Sequence, residues 1–391
     1  MQLLLPLLAQ QKNLKNKYVQ PDDLKIYFNP NPQNFSTFSS SKISIHCLDQ
    51  FPYFEQGSCL VFGVYETIDT LHKIHDIKTF LYQFNYDNIS SKIVDLGNLK
   101  LSSNFKDNQH AINEIIVYAY LIKCKVIILS ENIDIGYELY KAYGKLEEFI
   151  NLAEISNKIS LSQDLNDNWI FKIINEQPCY LFNYTNIGYQ SYYLRKDQAE
   201  FIEKIFFEYY RLGETKNNLE EIEPTIRNND LFMLDLSAVK YADVWNEFSG
   251  PNGFLGDEIC TIAKYIGNNN RTKCLALSNI KGNLSLQSAE LSAQIVWYAI
   301  FGMQSADYEL PNTNNYFIKY IVYSEDLGQN IVFYKNNKNG KWWMEVPFNE
   351  NFNIDRFNKF NVIPCSYNDY QFACNSEIPD RWWKTFQKFY L

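Results

Sequence analysis

Residues 231–258 read LFMLDLSAVKYADVWNEFSGPNGFLGDE. A short apolar run, 231–234, delivers Asp235 at its carboxyl end. A polar loop with Gly250, Pro251, Asn252 and Gly253 follows, and a helix opens near Gly256-Asp257-Glu258. In an open α/β sheet, ligands bind in the crevice beyond the carboxyl ends of the strands. A carboxylate at a strand tip, followed by a long loop, is therefore the first candidate for chemistry.

Outward from this stretch, strand-like and helical segments alternate. Apolar runs at 59–64, 93–96, 126–129, 150–155, 179–182 and 274–277 read as buried strands, the second closed by Gly97-Asn98. Helical periodicity marks 107–121, with Asp107 or Asn108 as N-cap, then 136–149, and 197–212 with Phe201, Ile205 and Tyr209 in register. Two more helices carry Ile259, Ile262 and Ala263, and Leu291, Ile295 and Tyr298, the latter ending at Gly302 as at a C-cap. This rhythm predicts an α/β domain over 59–305 on a mostly parallel sheet covered on both faces. Residues 1–58 form an extension with loop-like pieces at 29–32 and 36–41. The tail, 306–391, breaks the rhythm with strands at 320–323 and 331–334, a turn at 336–340, a returning arm at 342–346, and an amphipathic helix over 378–391. It reads as an appendix packed on the same domain, with Trp382, Trp383, Phe386 and Phe389 on one side of its helix. Those rings either cover a sheet edge or form part of a partner surface.

The net charge of -9 argues against a phosphate-backbone partner and hence against nucleic acid. Eight cysteines without a C-x-x-C pair read as reduced thiols of a cytoplasmic protein. The opening MQLLLPLLAQQ has no basic residue before its apolar run and is interrupted by Pro6, so it reads as a packing segment, not a signal peptide. No stretch approaches the ~20 apolar residues of a membrane span. Neither a Gly-Lys-Ser/Thr phosphate loop nor a nucleophile elbow occurs. His72 and His75, with Asp76, have a spacing that could hold a metal, but a polar helix face is the plainer reading. Glu258 matches a helix dipole at its start, with a residual substrate role as the alternative.

Several stretches resemble the ureohydrolase superfamily of arginase, agmatinase and formimidoylglutamase, most of all a bacterial formimidoylglutamase-like branch. They are Ile93-Val94-Asp95-Leu96-Gly97-Asn98, LFNYTNIGYQSYYL at 181–194, Arg211-Leu212-Gly213-Glu214, LDLSAV at 234–239, PNGFLGDE at 251–258, AQIVWY at 293–298, and KWWMEVPF and IPDRWW in the tail. The resemblance implies a three-layer α/β/α sandwich, arginase-like, with the aromatic hairpin and helix appended. It also implies hydrolysis of a guanidinium or amidine carbon–nitrogen bond by hydroxide held between two divalent metals, usually manganese. In that superfamily the ligands come from Gly-Gly-x-His, Asp-x-His-x-Asp and Asp-x-Asp segments.

Aligned on those segments, the first falls on residues 130–134, with Ile133 at the histidine position beside Glu131 and Asp134. The second falls on Ser156-Asn157-Lys158-Ile159-Ser160, with no aspartate and no histidine. The third is Asp235-Leu236-Ser237, keeping only its first carboxylate, and the glutamate that grips the substrate falls at Ser278. A slip of the alignment brings Glu131, Asp134 or Glu154 inward. Lys158 is an ammonium where an imidazole belongs; it repels a dication and is expected to pair with Asp235 or Glu131 instead. The alternative is that Asp235 is a buried, hydrogen-bonded strand-end carboxylate. The resulting expectation is a pseudoenzyme without a cofactor, acting as a binding, scaffold or regulatory subunit through a protein partner or self-association. The competing readings are an active manganese-dependent hydrolase of linear amidines with relocated ligands, and a metal-free binder of small molecules in the old pocket.

Overall fold

The structure, a computed structural model, describes residues 21–48, 50–161, 168–282, 284–305, 311, 316–348 and 357–390. One sheet carries β1 (Ile43–Ile45), β2 (Cys59–Tyr65), β3 (Ile93–Lys100), β4 (Lys125–Ser130), β5 (Ile150–Ile155), β6 (Leu181–Tyr189), β7 (Glu208–Arg211), β8 (Leu231–Asp235) and β9 (Cys274–Ser278). Their order in space is β1-β3-β2-β4-β9-β8-β5-β6-β7, and every pairing is parallel.

Strand side chains alternate between two cores, as the period of two requires. Ala153, Ile155, Phe232 and Leu234 face a layer built by α1 (Ile68–Leu81), α8 (Gly256–Gly267) and α9 (Leu286–Gly302). Ile150, Leu152, Leu231 and Met233 face the opposite layer, built by α2 (Phe105–Leu121), α3 (Ile135–Gly144), α4 (Trp169–Ile174) and α5 (Lys196–Lys204). Both faces of the sheet are therefore dry, and the strands read as near-continuous apolar runs for that reason. Two short helices, α6 (Leu212–Asn217) and α7 (Glu223–Arg227), lead from β7 into β8.

Several elements differ from their sequence reading. The strand at 93–96 does not close at Gly97-Asn98 but runs on to Lys100 through an irregularity opposite Val61 and Gly63. Gly97 is required there. Its φ is +98°, and a Cβ would lie 2.3 Å from the Asn29 carbonyl oxygen, because residue 29 bridges to Asn98 by two backbone hydrogen bonds of 2.8 Å. The segment before residue 59 also holds a 3-10 turn, Gln33–Phe38, and supplies the edge strand β1. The helix expected over 197–212 ends at Lys204. The β-forming residues Tyr209 and Tyr210 instead pair with β6, satisfying its outer edge. The helix expected to reach 149 stops at Gly144, and the strand expected at 179–182 begins at Leu181 and continues to Tyr189. Asn104, not Asp107 or Asn108, caps α2 through its side chain. Gly302 is the last helical residue. Its role is close packing: a Cβ there would meet the Lys264 carbonyl oxygen at 2.2 Å, where α9 crosses α8.

The tail forms an antiparallel sheet of β10 (Phe317–Ser324), β11 (Gln329–Asn336), β12 (Trp342–Glu345) and β13 (Val362–Cys365), followed by α10 (Tyr367–Cys374) and α11 (Asp380–Tyr390). It covers the amino-terminal ends of the large sheet's strands and reaches the edge strand β7, where Lys388 of α11 lies 5.6 Å from the centre of the Phe207 ring and Arg381 faces Glu208 and Tyr210. Phe182, at the start of β6, stacks on Phe360 at 4.1 Å, and Arg227, just before β8, donates to the Trp342 carbonyl at 3.1 Å. Trp382 and Phe389 lie in its core with Phe333 and Met344, Phe386 stacks on both Trp382 and Trp383, and Trp383, at the margin of this side, is 39% exposed. No disulfide joins the eight cysteines; Cys374 is exposed, Cys179 half-buried and the rest buried. No helix among the described residues is long and apolar enough to cross a membrane. The MQLLLPLLAQQ segment lies outside the described residues.

Candidate functional site

Because β4, β9, β8 and β5 are adjacent and parallel, their carboxyl ends meet at one crevice, where an α/β sheet binds ligands. Asp235 ends β8 and sits in register beside Ser278, which is fully buried at the end of β9. Its Oδ1 accepts two hydrogen bonds of 2.7 Å, from the Ser237 backbone N–H and from the Asn279 side-chain amide. Asn279 holds a left-handed backbone, φ +62°, and its carbonyl accepts from the Asn246 amide at 2.6 Å. Burial raises the Asp235 carboxyl above its ordinary range, opposed by these donors and by Lys281.

The second carboxylate is Glu154 on β5, which only a slipped alignment brought into consideration. Its side chain is 1% exposed. Oε1 accepts from the Ser160 hydroxyl at 2.6 Å, with the Ser156 oxygen 3.0 Å away, and Oε2 accepts from the Tyr184 hydroxyl of β6. Burial pushes Glu154 up to about 7; the Ser160 and Tyr184 hydrogen bonds pull it down, and the negative charge of Asp235 pushes it up again. The two carboxylates thus share one low-dielectric site, and a proton resides there near neutral pH. The signal that could have found Glu154 is a glutamate inside the otherwise apolar Leu152-Ala153-Glu154-Ile155 run. Tyr184 and Asn279 carry no such mark, since their roles depend on neighbouring strands.

The remaining candidates do not converge. Lys158 makes no ion pair with Asp235 or Glu131; its side chain is exposed, with Nζ 4.5 Å from the centre of the Tyr193 ring. The Ser156 hydroxyl and the Asn186 amide both bond the Lys158 carbonyl, which turns the backbone inward and leaves the ammonium in water, avoiding its desolvation. Glu131 instead accepts from the backbone N–H groups of Glu66 at 2.7 Å and Thr67 at 3.1 Å, anchoring the start of α1. Asp134 is exposed at the N-cap of α3, and Ile133 packs against the second core. Glu258 accepts from the Leu255 N–H and pairs with Lys216 at 3.0 Å, so it is tied into its own helix start. A small cleft of about 270 Å³ lies beside Ser130, Glu131 and Asn132, without reaching Asp235 or Glu154.

The histidines stand elsewhere. His46 is buried behind the Leu96 carbonyl beyond the edge strand β1, His75 packs edge-on to Phe35 and is held down near 4 by burial, His110 meets Tyr27, and His72 is exposed on α1. A pair of manganese ions needs several carboxylates and imidazoles that can donate lone pairs at one place. Among the described residues no three His, Cys, Asp or Glu side chains gather in that way. Around Asp235 and Glu154 stand neutral hydroxyls and amides, which donate to Oδ1 of the first and to both oxygens of the second. The residues present do not fit a two-manganese centre.

The nine-stranded parallel sheet between two helical layers is the arginase, or ureohydrolase, superfamily fold, and comparison with solved structures shows this directly. The chain is similar to formimidoylglutamase from Bacillus subtilis (12% identity, 66% of this chain and 90% of that one, TM-score 0.57). It is similar as well to formiminoglutamase from Trypanosoma cruzi solved with Mn2+ (11% identity, 71% and 100%, TM-score 0.59). Arginase from Bacillus subtilis matches with 12% identity over 62% of this chain and 98% of that one, at a TM-score of 0.52. No family model matches the chain, and no curated protein matches it in sequence.

Proposed function

We propose that this chain is an arginase-fold protein that does not perform two-metal hydrolysis and works by binding, as a scaffold, regulatory or partner subunit. The observation that supports this reading is the neutral hydrogen-bonding surround of the two carboxylates: Ser160 and Tyr184 donate to Glu154, and Asn279 and the Ser237 N–H donate to Asp235. A cation entering there must displace hydrogen-bond donors and a proton, and it meets no imidazole in return. The loops around the same crevice expose apolar surface instead: Trp245 is 53% exposed, with Tyr241, Phe248, Tyr192 and Leu286 also open to solvent. Exposed aromatics clustered on a soluble fold mark surfaces used for contact with a partner or a second copy.

The test is metal loading followed by an activity assay on the full chain. Protein equilibrated with excess MnCl2 and then desalted carries well under one manganese per chain. Its release of urea or formamide from arginine, agmatine or formiminoglutamate stays at background. Retention of about two manganese ions with turnover would remove the proposal and install its alternative, a metal-dependent hydrolase of linear amidines with Glu154 as a relocated ligand.

A further inference from the structure

A second cavity lies at the other end of the sheet. It occupies about 730 Å³ between the amino-terminal ends of β4, β8 and β9 and the face of the appendix. In a chain of net charge -9, the described residues that line this cavity include seven lysines and arginines and two carboxylates, Glu148 and Asp230.

The cations come from both sides of the seam. From the large sheet, Arg271 bonds Asp230 at 3.0 Å, and Lys273 reaches the same carboxylate only at 3.9 Å. From the appendix side, Lys359 pairs with Glu148 at 2.8 Å. Lys125 pairs with no carboxylate among the described residues; it donates to the carbonyls of Gly267 and Asn269 at the end of α8. Arg227, with a side chain 9% exposed, shares Glu223 with Lys341 and keeps Nη1 buried without a hydrogen-bond partner. Burial chiefly, with the neighbouring charges of Lys359 and Arg271, presses the Lys273 ammonium below the ordinary lysine range, against the pull of Asp230 and Glu148. Lys125 is pushed down to about 8 by burial. The Lys125 shift records burial alone, whereas Lys273 also feels two cations that Asp230 and Glu148 oppose. The walls between these cations are the rings of Tyr120 and Trp343 with Val362 and Pro364.

We propose that this cavity binds a small phosphate ester carrying two or more negative charges. A phosphoryl group concentrates about -1.5 to -2 charge and three acceptor oxygens on one centre at neutral pH. That suits Arg271, Lys273 and Lys359, which crowd one another. A tricarboxylate would spread its charge over separated groups. The guanidinium of Arg271 supplies the fork that matches phosphate oxygens, and the lysines act as point charges. The apolar walls leave room for the remainder of the ester. The site is independent of the proposed function, since none of its residues touches Asp235 or Glu154.

The experiment is calorimetric titration of the full chain with inorganic pyrophosphate and with ADP, magnesium-free, at 50 mM and 200 mM NaCl, with citrate as the carboxylate control. The expected result is saturable binding of both phosphates that weakens several-fold at the higher salt, with citrate at least tenfold weaker. Lys273→Gln and Lys359→Gln each reduce affinity by tenfold or more, whereas Lys196→Gln, a fully exposed lysine on α5, leaves it unchanged. Lysine acylation of the unaltered protein, read by mass spectrometry, gives the same answer without a variant. Pyrophosphate slows labelling of Lys125, Lys273 and Lys359 but not of Lys196. Absence of saturable phosphate binding at low salt, citrate binding as tightly as ADP, or equal protection of Lys196 and the cavity lysines would overturn the proposal.

Discussion

Replacing Glu154 by Gln should stabilise the protein at alkaline pH and do almost nothing at pH 5. The carboxyl of Glu154 rises from its ordinary 4.5 to about 7 in the folded chain, with burial as the main cause. A raised carboxyl means that the folded state holds the proton more tightly than the unfolded chain does. Stability is then full below the unfolded value near 4.5, falls as pH rises through about 7, and stays reduced above it. At 1.36 kcal/mol per pH unit, the loss amounts to about 3 kcal/mol. Glutamine is neutral throughout, its oxygen can accept from Ser160, and its amide can donate to the Tyr184 oxygen. The variant should therefore gain about 2–3 kcal/mol over the wild type at pH 8. With ~2.1 cal/mol/K of unfolding entropy per residue over 391 residues, that is a rise in melting temperature of about 3 °C. Differential scanning calorimetry at pH 5, 6, 7 and 8 follows the difference as it opens. A variant less stable than wild type at pH 8, or a difference that does not change with pH, would refute the reasoning, because both require Glu154 to be ionised and favourably partnered in the native state. Adding 1 mM MnCl2 sharpens the contrast: a metal ligand at this position would make the wild type, and not the variant, melt higher with the ion present.

Lys158→Ala should change unfolding free energy in urea by no more than about 0.5 kcal/mol, since the ammonium is exposed; a loss above about 2 kcal/mol would restore the ion pair with Asp235 or Glu131. Lys78→Met should cost about 3–5 kcal/mol, because Lys78 and Asp95 pair at 2.8 Å with both side chains fully buried, and the change strands Asp95 without its cation. The double variant Lys78→Met/Asp95→Asn should recover part of that loss in the same urea titration. Trp382→Ala should cost about 3–5 kcal/mol by emptying the core of the appendix and removing the indole bond to the Glu345 carbonyl. Hydrogen exchange should then quicken over 317–390 before it does over β4, β8 and β9.

The architecture was legible because the strands of a doubly covered parallel sheet have no water-facing side to encode, so they stand out as apolar runs bounded by loops. β8, β9 and β4 fall close to where those runs lie. β6 and β7 were misread for the opposite reason. Asn183, Thr185 and Asn186 are polar and almost fully buried, and the Tyr209-Tyr210 pair satisfies a helical period as easily as a strand. At the crevice, Asp235 could be found because it ends an apolar run. Glu154 was visible only as a misplaced acid, and the alignment that favoured 156–160 passed it by. What makes it a partner of Asp235 is the β8–β5 pairing, together with the Tyr184 hydroxyl from a third strand. No single segment carries that information. Lys158 shows the converse: its type was informative and its placement was decided by two hydrogen bonds to its own carbonyl, which sequence does not specify.

The two ends of the sheet differ in the sense of their charge. At the carboxyl end, two acids are packed among hydroxyls and amides, and the free energy lost in burying them is lowered by keeping a proton. At the amino end, cations from the sheet and from the appendix face each other with too few acids between them. The five residues of β8, at ~3.3 Å each, separate the ends by about 17 Å. Changes that far apart, with no shared partners, should act additively. Glu154→Gln should therefore leave pyrophosphate affinity unchanged, and Lys273→Gln should leave the fall in stability between pH 5 and 8 intact. Coupling in either direction would mean that the appendix transmits strain through β8, and neither end could then be treated as a site in its own right.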